Sequence, residues 1–308
     1  MNIFFSNLLI VFLDLLARLP WKVLYKISDI LAYVLFNVVK YRNNVIWSNL
    51  KNSFPEKSDA ELSDIRKKFY QHFSDIIVET IKLRVVDPQE IKVRLTGNYE
   101  VLTNLFEQKK NVGLILGHRG NWEMANSYFS SFLPHDVLVV YKPLHNKAMD
   151  QWFFDMRSRF KSQLIPMKMI YAELKKDHPI PYIVALANDQ APNPQTGYWT
   201  TFLNQDTGVF RGAEIISKLY DLTVVYLDIK KHETLRGHYV CHFNIITDNV
   251  QTFPQNAILQ KQIELLEKDI RHQPHNWLWS HRRWKHGRPE VLKPEQILHT
   301  ANDEKIAD

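Results

Sequence analysis

Beyond residue 110, short apolar runs alternate with stretches whose apolar residues recur at helical spacing. This alternation constrains the fold more than any other feature of the chain. Residues 112–117, 137–141, 182–187, 223–229 and 239–246 read as strands. Between and after them, residues 122–132, 146–160, 169–176, 211–220 and 255–271 read as helices. Strands that take turns with helices build a mostly parallel sheet covered by helices. The first run, Val-Gly-Leu-Ile-Leu, lacks polar alternation, as expected of a strand buried on both faces. The fold class expected is therefore α/β, a mostly parallel central sheet flanked by helices. Upstream, residues 53–83 also read as helical. Ser58 followed by Glu61 forms the signature of a capping box.

The N-terminus is apolar in two runs. Residues 3–19 are interrupted only by a few polar side chains, chiefly Asp14 and Arg18, which at four apart pair on one helical face. Pro20 breaks the chain. Residues 21–39 follow, with Lys22, Lys26, Asp29 and Asn37 leaving a wide apolar face that includes Leu24, Ile27, Leu31 and Leu35. A span needs roughly 20 apolar residues. Two membrane arrangements follow: the first run spans and the second lies in the interface, or both lie in the interface. A third is a pair of soluble core helices. No basic residue precedes the first run and no small-residue cleavage site follows it, so a removable signal peptide is not expected. Lys40, Arg42 and Lys51 come after the runs, which orients the rest of the chain to the cytoplasm. The expected division is a membrane-anchoring segment 1–45, a catalytic domain 46–292 and a polar tail 293–308.

The net charge of +6 suits nucleic acid, anionic lipid or an acidic protein equally. The basic residues are spread along the chain, and no helix-turn-helix, zinc-finger or RNA-recognition signature accompanies them, so no nucleic-acid partner is expected. One cysteine, Cys241, cannot form an internal disulfide, and no cysteine–histidine cluster has zinc spacing.

The chemistry-bearing segment is Gly113-Leu-Ile-Leu-Gly-His118-Arg119-Gly-Asn121-Trp-Glu123. A histidine can take the proton of an alcohol near neutral pH, and a carboxylate fixes its tautomer and stabilises the imidazolium. Spacing alone is weak, because His145 with Asp150 and His299 with Glu304 match it too. Context separates them. His118 follows an apolar strand, Gly117 and Gly120 permit a tight turn, and Asn121 can start a helix. That places His118 and Glu123 at a strand's C-terminal end, where open α/β sheets build their sites. The other readings are a structural loop histidine and a metal site of His118, Glu123 and Asp189. Five apart is poor spacing for two ligands on one helix.

With these residues in view, the chain resembles the bacterial lipid A biosynthesis acyltransferases from the N-terminal apolar segment to about Pro289. Gly117 to Glu123 is similar to the family's signature of a histidine, four residues and an acidic residue. Val140-Tyr141-Lys142-Pro143-Leu144 with Asn146 resembles a second block. Ala187-Asn188-Asp189-Gln190, Phe202-Leu203, Thr207 and Phe210-Arg211-Gly212 resemble a third. Trp277-Leu-Trp279-Ser-His281-Arg282-Arg283-Trp284-Lys285 resembles the closing block. The resemblance implies acyl transfer from an acyl carrier protein to a hydroxyl of a lipid A precursor, without a cofactor or metal, at the cytoplasmic face of the bacterial inner membrane. It implies His118 as general base and Glu123 as its partner. It implies substrate contacts from Arg119, Asn121, Lys142, Asp189, Gln190, Arg211, Gly212, Arg282 and Arg283. Lys142 stands where many relatives carry arginine, and a lysine cannot make a two-pronged contact. Asp189 and Gln190 also fit a strand-end turn that only caps the backbone. The tryptophans of the closing block suit either a bilayer interface or the core. Alternatives are another lipid acceptor, a thioesterase that activates water, and a membrane adaptor that does not use His118.

Overall fold

The computed structural model describes residues 3–290, so the polar tail 293–308 lies outside the described residues. The chain begins with helices α1 (Ile3–Ala17) and α2 (Trp21–Tyr33), the latter running into a π-turn at Val34–Val38. Helices α3 (Asn43–Ser53), α4 (Asp59–Lys82) and α5 (Pro88–Lys92) follow. Then come β1 (Leu95–Gly97), α6 (Glu100–Glu107), β2 (Val112–Leu116), α7 (Trp122–Phe132), β3 (Asp136–Tyr141), α8 (Lys147–Ser158), β4 (Gln163–Pro166), α9 (Ile170–Leu174) and β5 (Tyr182–Ala187). The remainder is a hairpin, β6 (Tyr198–Phe202) and β7 (Gln205–Val209), then α10 (Gly212–Leu219), β8 (Thr223–Lys231), β9 (Tyr239–Thr247) and α11 (Ala257–His272).

Seven strands form one sheet in the order β1-β9-β8-β2-β5-β3-β4. All neighbours are parallel except β8 and β9. The expected mostly parallel α/β architecture is what the chain adopts. Strand β2 is central, with Val112 opposite Ile183 of β5 and Thr223 of β8, and Leu116 opposite Ala187 and Leu227. β2 and β5 therefore end level with one another, while β8 runs on to Lys231. Side chains alternate across β2, so Leu114 packs with Met124 and Val225 on one face and Ile115 packs with Tyr226 and Leu266 on the other. Both faces are buried, which explains the uniformly apolar run.

Boundaries deviate where turn chemistry outweighs periodicity. The helix expected over 53–83 is α4 and starts later, at Asp59, because Ser53 closes α3 and the chain turns before restarting at Ser58. The Ser58 hydroxyl accepts from the Glu61 N–H while the Glu61 carboxylate accepts from the Ser58 N–H. The short strands β1 and β4 and the β6–β7 hairpin fall in segments without a clear period.

The spanning arrangement of the N-terminus is corrected. Among the described residues no helix is long and apolar enough to cross a membrane. Nor does Asp14 pair with Arg18 one turn on. It accepts from Trp152 Nε1 of α8 at 2.9 Å and from Arg84 Nε at 3.3 Å, beyond the end of α4. Lys82 Nζ donates to the carbonyls of Ala17 and Leu19, satisfying the C-terminus of α1. The polar residue inside the apolar run is thus the pin that docks α1 on the body.

Candidate active site

The C-terminal ends of β2 and β5 meet to make the site. Just past β2, Gly117 leaves room that a side chain would fill, since a Cβ there would lie 2.8 Å from Leu266 and 3.3 Å from Asp189 Oδ2. The Arg119 N–H closes back on the Gly117 carbonyl at 2.8 Å. Gly120 has φ of +56°, a conformation that β-carbons resist. Asn121 then caps α7, its Oδ1 accepting from the Met124 N–H at 2.9 Å. This tight turn swings His118 out at the strand end. On β5, the Asn188 N–H extends the ladder to the Leu116 carbonyl at 3.0 Å. Asp189 thereby arrives directly beside His118.

The contact is close and ordered. Asp189 Oδ1 lies 2.6 Å from His118 Nδ1, while Oδ2 accepts from the His118 backbone N–H at 2.7 Å and from Trp277 Nε1 at 2.8 Å. An ionised carboxylate only accepts, so Nδ1 carries the proton and Nε2 is the basic nitrogen. Burial by itself pushes the His118 imidazole toward its neutral form. The Asp189 charge and hydrogen bond, with the more distant Glu123, outweigh it and raise the pKa above the ordinary 6.5. Asp189 answers in kind. Burial opposes its charge, but His118 and the N–H donors hold it well below the carboxylate range.

Glu123 sits in the first turn of α7 and faces a different partner. Arg157 of α8 grips it in a fork, Nε to Oε2 at 2.9 Å and Nη2 to Oε1 at 2.6 Å. Glu123 acts on His118 as a nearby negative charge, while Asp189 is the carboxylate in hydrogen-bond contact. Nothing in the sequence singled out Arg157.

The remaining candidates divide into an inner and an outer set. Arg119 is buried and its Nε donates to Asp228 of β8 at 2.7 Å. Asn121 is fully buried, with its amide donating to Glu79 of α4 at 2.7 Å. Both brace the turn from behind. Lys142, just past β3, and Arg282 are exposed. Gln190 and Arg211 are half-buried, and Gly212, at the start of α10, has open space where a Cβ would stand. Arg283 is 3% exposed, and its Nε and Nη2 have no hydrogen-bond partner. Burial lowers its pKa to about 10 against the pull of Asp189. Burial also lowers the neighbouring His281 to about 4.

The closing tryptophans are inside the molecule. Trp277 and Trp279 are 2% and 0% exposed, so they pack in the core rather than at a bilayer. Their segment is stitched to the His118 turn. The Leu278 N–H donates to the His118 carbonyl, and the Gly120 N–H donates to the Asn276 carbonyl and Oδ1. A narrow crevice beside His118 is walled by Phe69, Phe73 and Ile76 of α4 with Trp122 and Leu278. A wider hollow lined by Thr201, Gln260, Glu264 and Arg271 contains none of these residues. Among the described residues no cluster of three or more His, Cys, Asp or Glu side chains is arranged to hold a metal ion.

The site thus holds a strand-end histidine whose Nδ1 is engaged by a carboxylate, and comparison with known proteins says in which family the chain stands. Residues 1–286 match the model of the bacterial lipid A biosynthesis acyltransferases, and the chain belongs to that family; it is an acyltransferase. It is 22% identical over 280 residues to the lipid A biosynthesis palmitoleoyltransferase of Escherichia coli (strain K12), covering 87% of each chain. The same identity and coverage relate it to the lipid A biosynthesis acyltransferase of Shigella flexneri.

Proposed function

We propose that the protein moves a fatty acyl group from an acyl carrier protein thioester to a hydroxyl of a lipid A precursor, with His118 as general base. The observation that carries this reading is the 2.6 Å contact between Asp189 Oδ1 and His118 Nδ1, which leaves Nε2 to face the substrate. Nε2 takes the proton from the acceptor hydroxyl as its oxygen attacks the thioester carbonyl. The tetrahedral intermediate collapses, the carbon–sulfur bond breaks, and the imidazolium returns the proton to the departing thiolate. The products are an ester and a free carrier thiol. Asp189 stabilises the imidazolium throughout. Glu123, held by Arg157, adds negative potential.

The cationic groups at the rim serve the anionic parts of the substrates. Lys142, Arg211 and Arg282, with the buried Arg283, meet phosphate on the acceptor or on the carrier's arm. Gly212 and Gln190 shape the same side.

Membrane association fits the surface of α1. Its inward face packs on the core through Ile10, Leu13 and Ala17, while Phe5, Leu8, Val11, Phe12 and Leu15 point out and are each more than half exposed. A continuous apolar face of this kind marks an interaction surface. With Lys22 and Lys26 exposed close by, it suits a helix lying in the cytoplasmic leaflet of the inner membrane.

The test is a transfer assay in detergent with acyl carrier thioesters and a purified lipid A precursor. A mass gain of one acyl chain, reduced ~10²–10⁴-fold in His118→Ala, is the expected result. Wild-type rate in that variant overturns the base assignment, and free fatty acid without acylated lipid replaces transfer by thioester hydrolysis.

A further inference from the structure

Asp189 is held by donors from two directions. Both donors from His118 belong to the residue that Asp189 serves. The third, Trp277 Nε1, comes from a segment 88 residues further along the chain and reaches Oδ2 at 2.8 Å. Asp189 is 3% exposed and Trp277 2%, so neither group exchanges this bond for water. An indole has one donor and no acceptor, and here that donor is aimed at a carboxylate.

The indole is itself immobilised. Its ring stands edge-on to Trp279, Phe202 and Trp284, with centroids 4.7, 5.8 and 6.0 Å away. Its backbone pairs with Arg119, and the next N–H, that of Leu278, holds the His118 carbonyl at 3.2 Å. One short segment therefore fixes the His118 backbone and the plane of the carboxylate at once. With Oδ2 occupied by two N–H groups, Oδ1 is the oxygen left for the imidazole.

We propose that Trp277 is a positioning residue of the acyl-transfer reaction, whose indole N–H orients Asp189 and tempers that carboxylate's pull on the His118 proton. The proposal rests on the reading of His118 as base. Removing the N–H leaves Asp189 more basic, so it holds the imidazolium more tightly and His118 gives up its proton only at higher pH. Other charges facing the pair remain in place. They are Glu123 with Arg157, His281 and Arg283, and, behind the turn, Arg119 with Asp228.

Trp277→Phe keeps a ring in the aromatic cluster and deletes the donor. The full-length protein in detergent is assayed with acyl carrier thioester and lipid A precursor across pH, and ¹⁵N-histidine NMR follows the His118 ring. We expect kcat/KM at neutral pH to fall about tenfold, the scale of one hydrogen bond to a charged group. KM for both substrates is expected to change less than kcat. The acidic limb and the His118 titration should both move up by about half a pH unit to one. In an Asp189→Asn background, the same replacement should add little further loss, because its effect runs through that carboxylate. Trp277→His, which keeps a ring donor, should recover part of the rate and serves if the phenylalanine variant does not fold. An unmoved His118 titration, or losses that simply add in the double variant, overturns the proposal. If the titration moves while His118→Ala still transfers acyl chains, Trp277 positions Asp189 as stated and the base assignment is what fails.

Discussion

As the proposed base, His118 needs an unprotonated nitrogen, and Asp189 leaves Nε2 for that role by occupying Nδ1. Glu123, five residues on, has the right charge but is engaged two-pronged by Arg157. Sequence spacing could mark both carboxylates as site residues, since each follows a strand or opens a helix. It could not say which one touches the imidazole. That depends on β2 and β5 ending level, a register set by pairing 71 residues apart. Gly120 was legible as a turn residue for a physical reason that the structure makes specific. Its φ is +56°, and a Cβ would fall 2.5 Å from Ile229 Cγ2 and 2.6 Å from the Ile229 carbonyl. Gly120→Ala is therefore expected to cost more than about 1 kcal/mol from backbone strain alone. The steric clash adds to it, and transfer activity falls as the His118 turn shifts. Thermal melting and the transfer assay check both parts. An unchanged Tm would mean the turn relaxes freely.

At the scale of elements, β2, β5 and β8 were readable because burial makes them largely apolar runs, whereas β9 alternates buried Tyr239, Cys241 and Phe243 with exposed His242 and Asn244. Helix α7 was readable because a capping asparagine opens it and a turn closes it. Strands β1 and β4 and the β6–β7 hairpin were not. Their residues, such as Gln205 and Asp206, are polar or half-exposed and owe their conformation to neighbours in space. Helix α1 shows the same limit in the opposite direction. Its composition suggested a span, yet one side packs on the core and Asp14 pins it to Trp152 and Arg84. The outer side is the face proposed to lie on a bilayer. Replacing Leu8 and Phe12 together by Asp removes two apolar side chains from that contact, each worth roughly 1.5–3 kcal/mol when fully buried. The double variant is expected to shift from pellet to supernatant in sedimentation with anionic lipid vesicles, by tenfold or more in partition at that scale. Pelleting equal to wild type would overturn the proposed membrane contact of α1.

Across the whole molecule, the site is assembled from parts far apart in sequence. The turn after β2 gives His118, the end of β5 gives Asp189, α7 and α8 give the Glu123–Arg157 fork, and the closing segment gives Trp277. The closing block was legible as important and illegible as to why. Amphipathic tryptophans suit a bilayer, but here they are core residues that lock the site from behind. With His118 as the proposed base, the same assembly also sets how the reaction should respond to pH. Burial alone pushes His118 down, and Asp189 reverses the sign, so the inactive imidazolium persists above the ordinary 6.5. The most direct test is the pH dependence of kcat/KM for Asp189→Asn beside wild type. The wild-type acidic limb should lie above pH 6.5. In the variant that limb should move to lower pH, while the plateau falls by ~10³-fold or more through loss of tautomer control. A variant with the wild-type plateau and an unmoved limb would show that Asp189 is not the partner of the catalytic base.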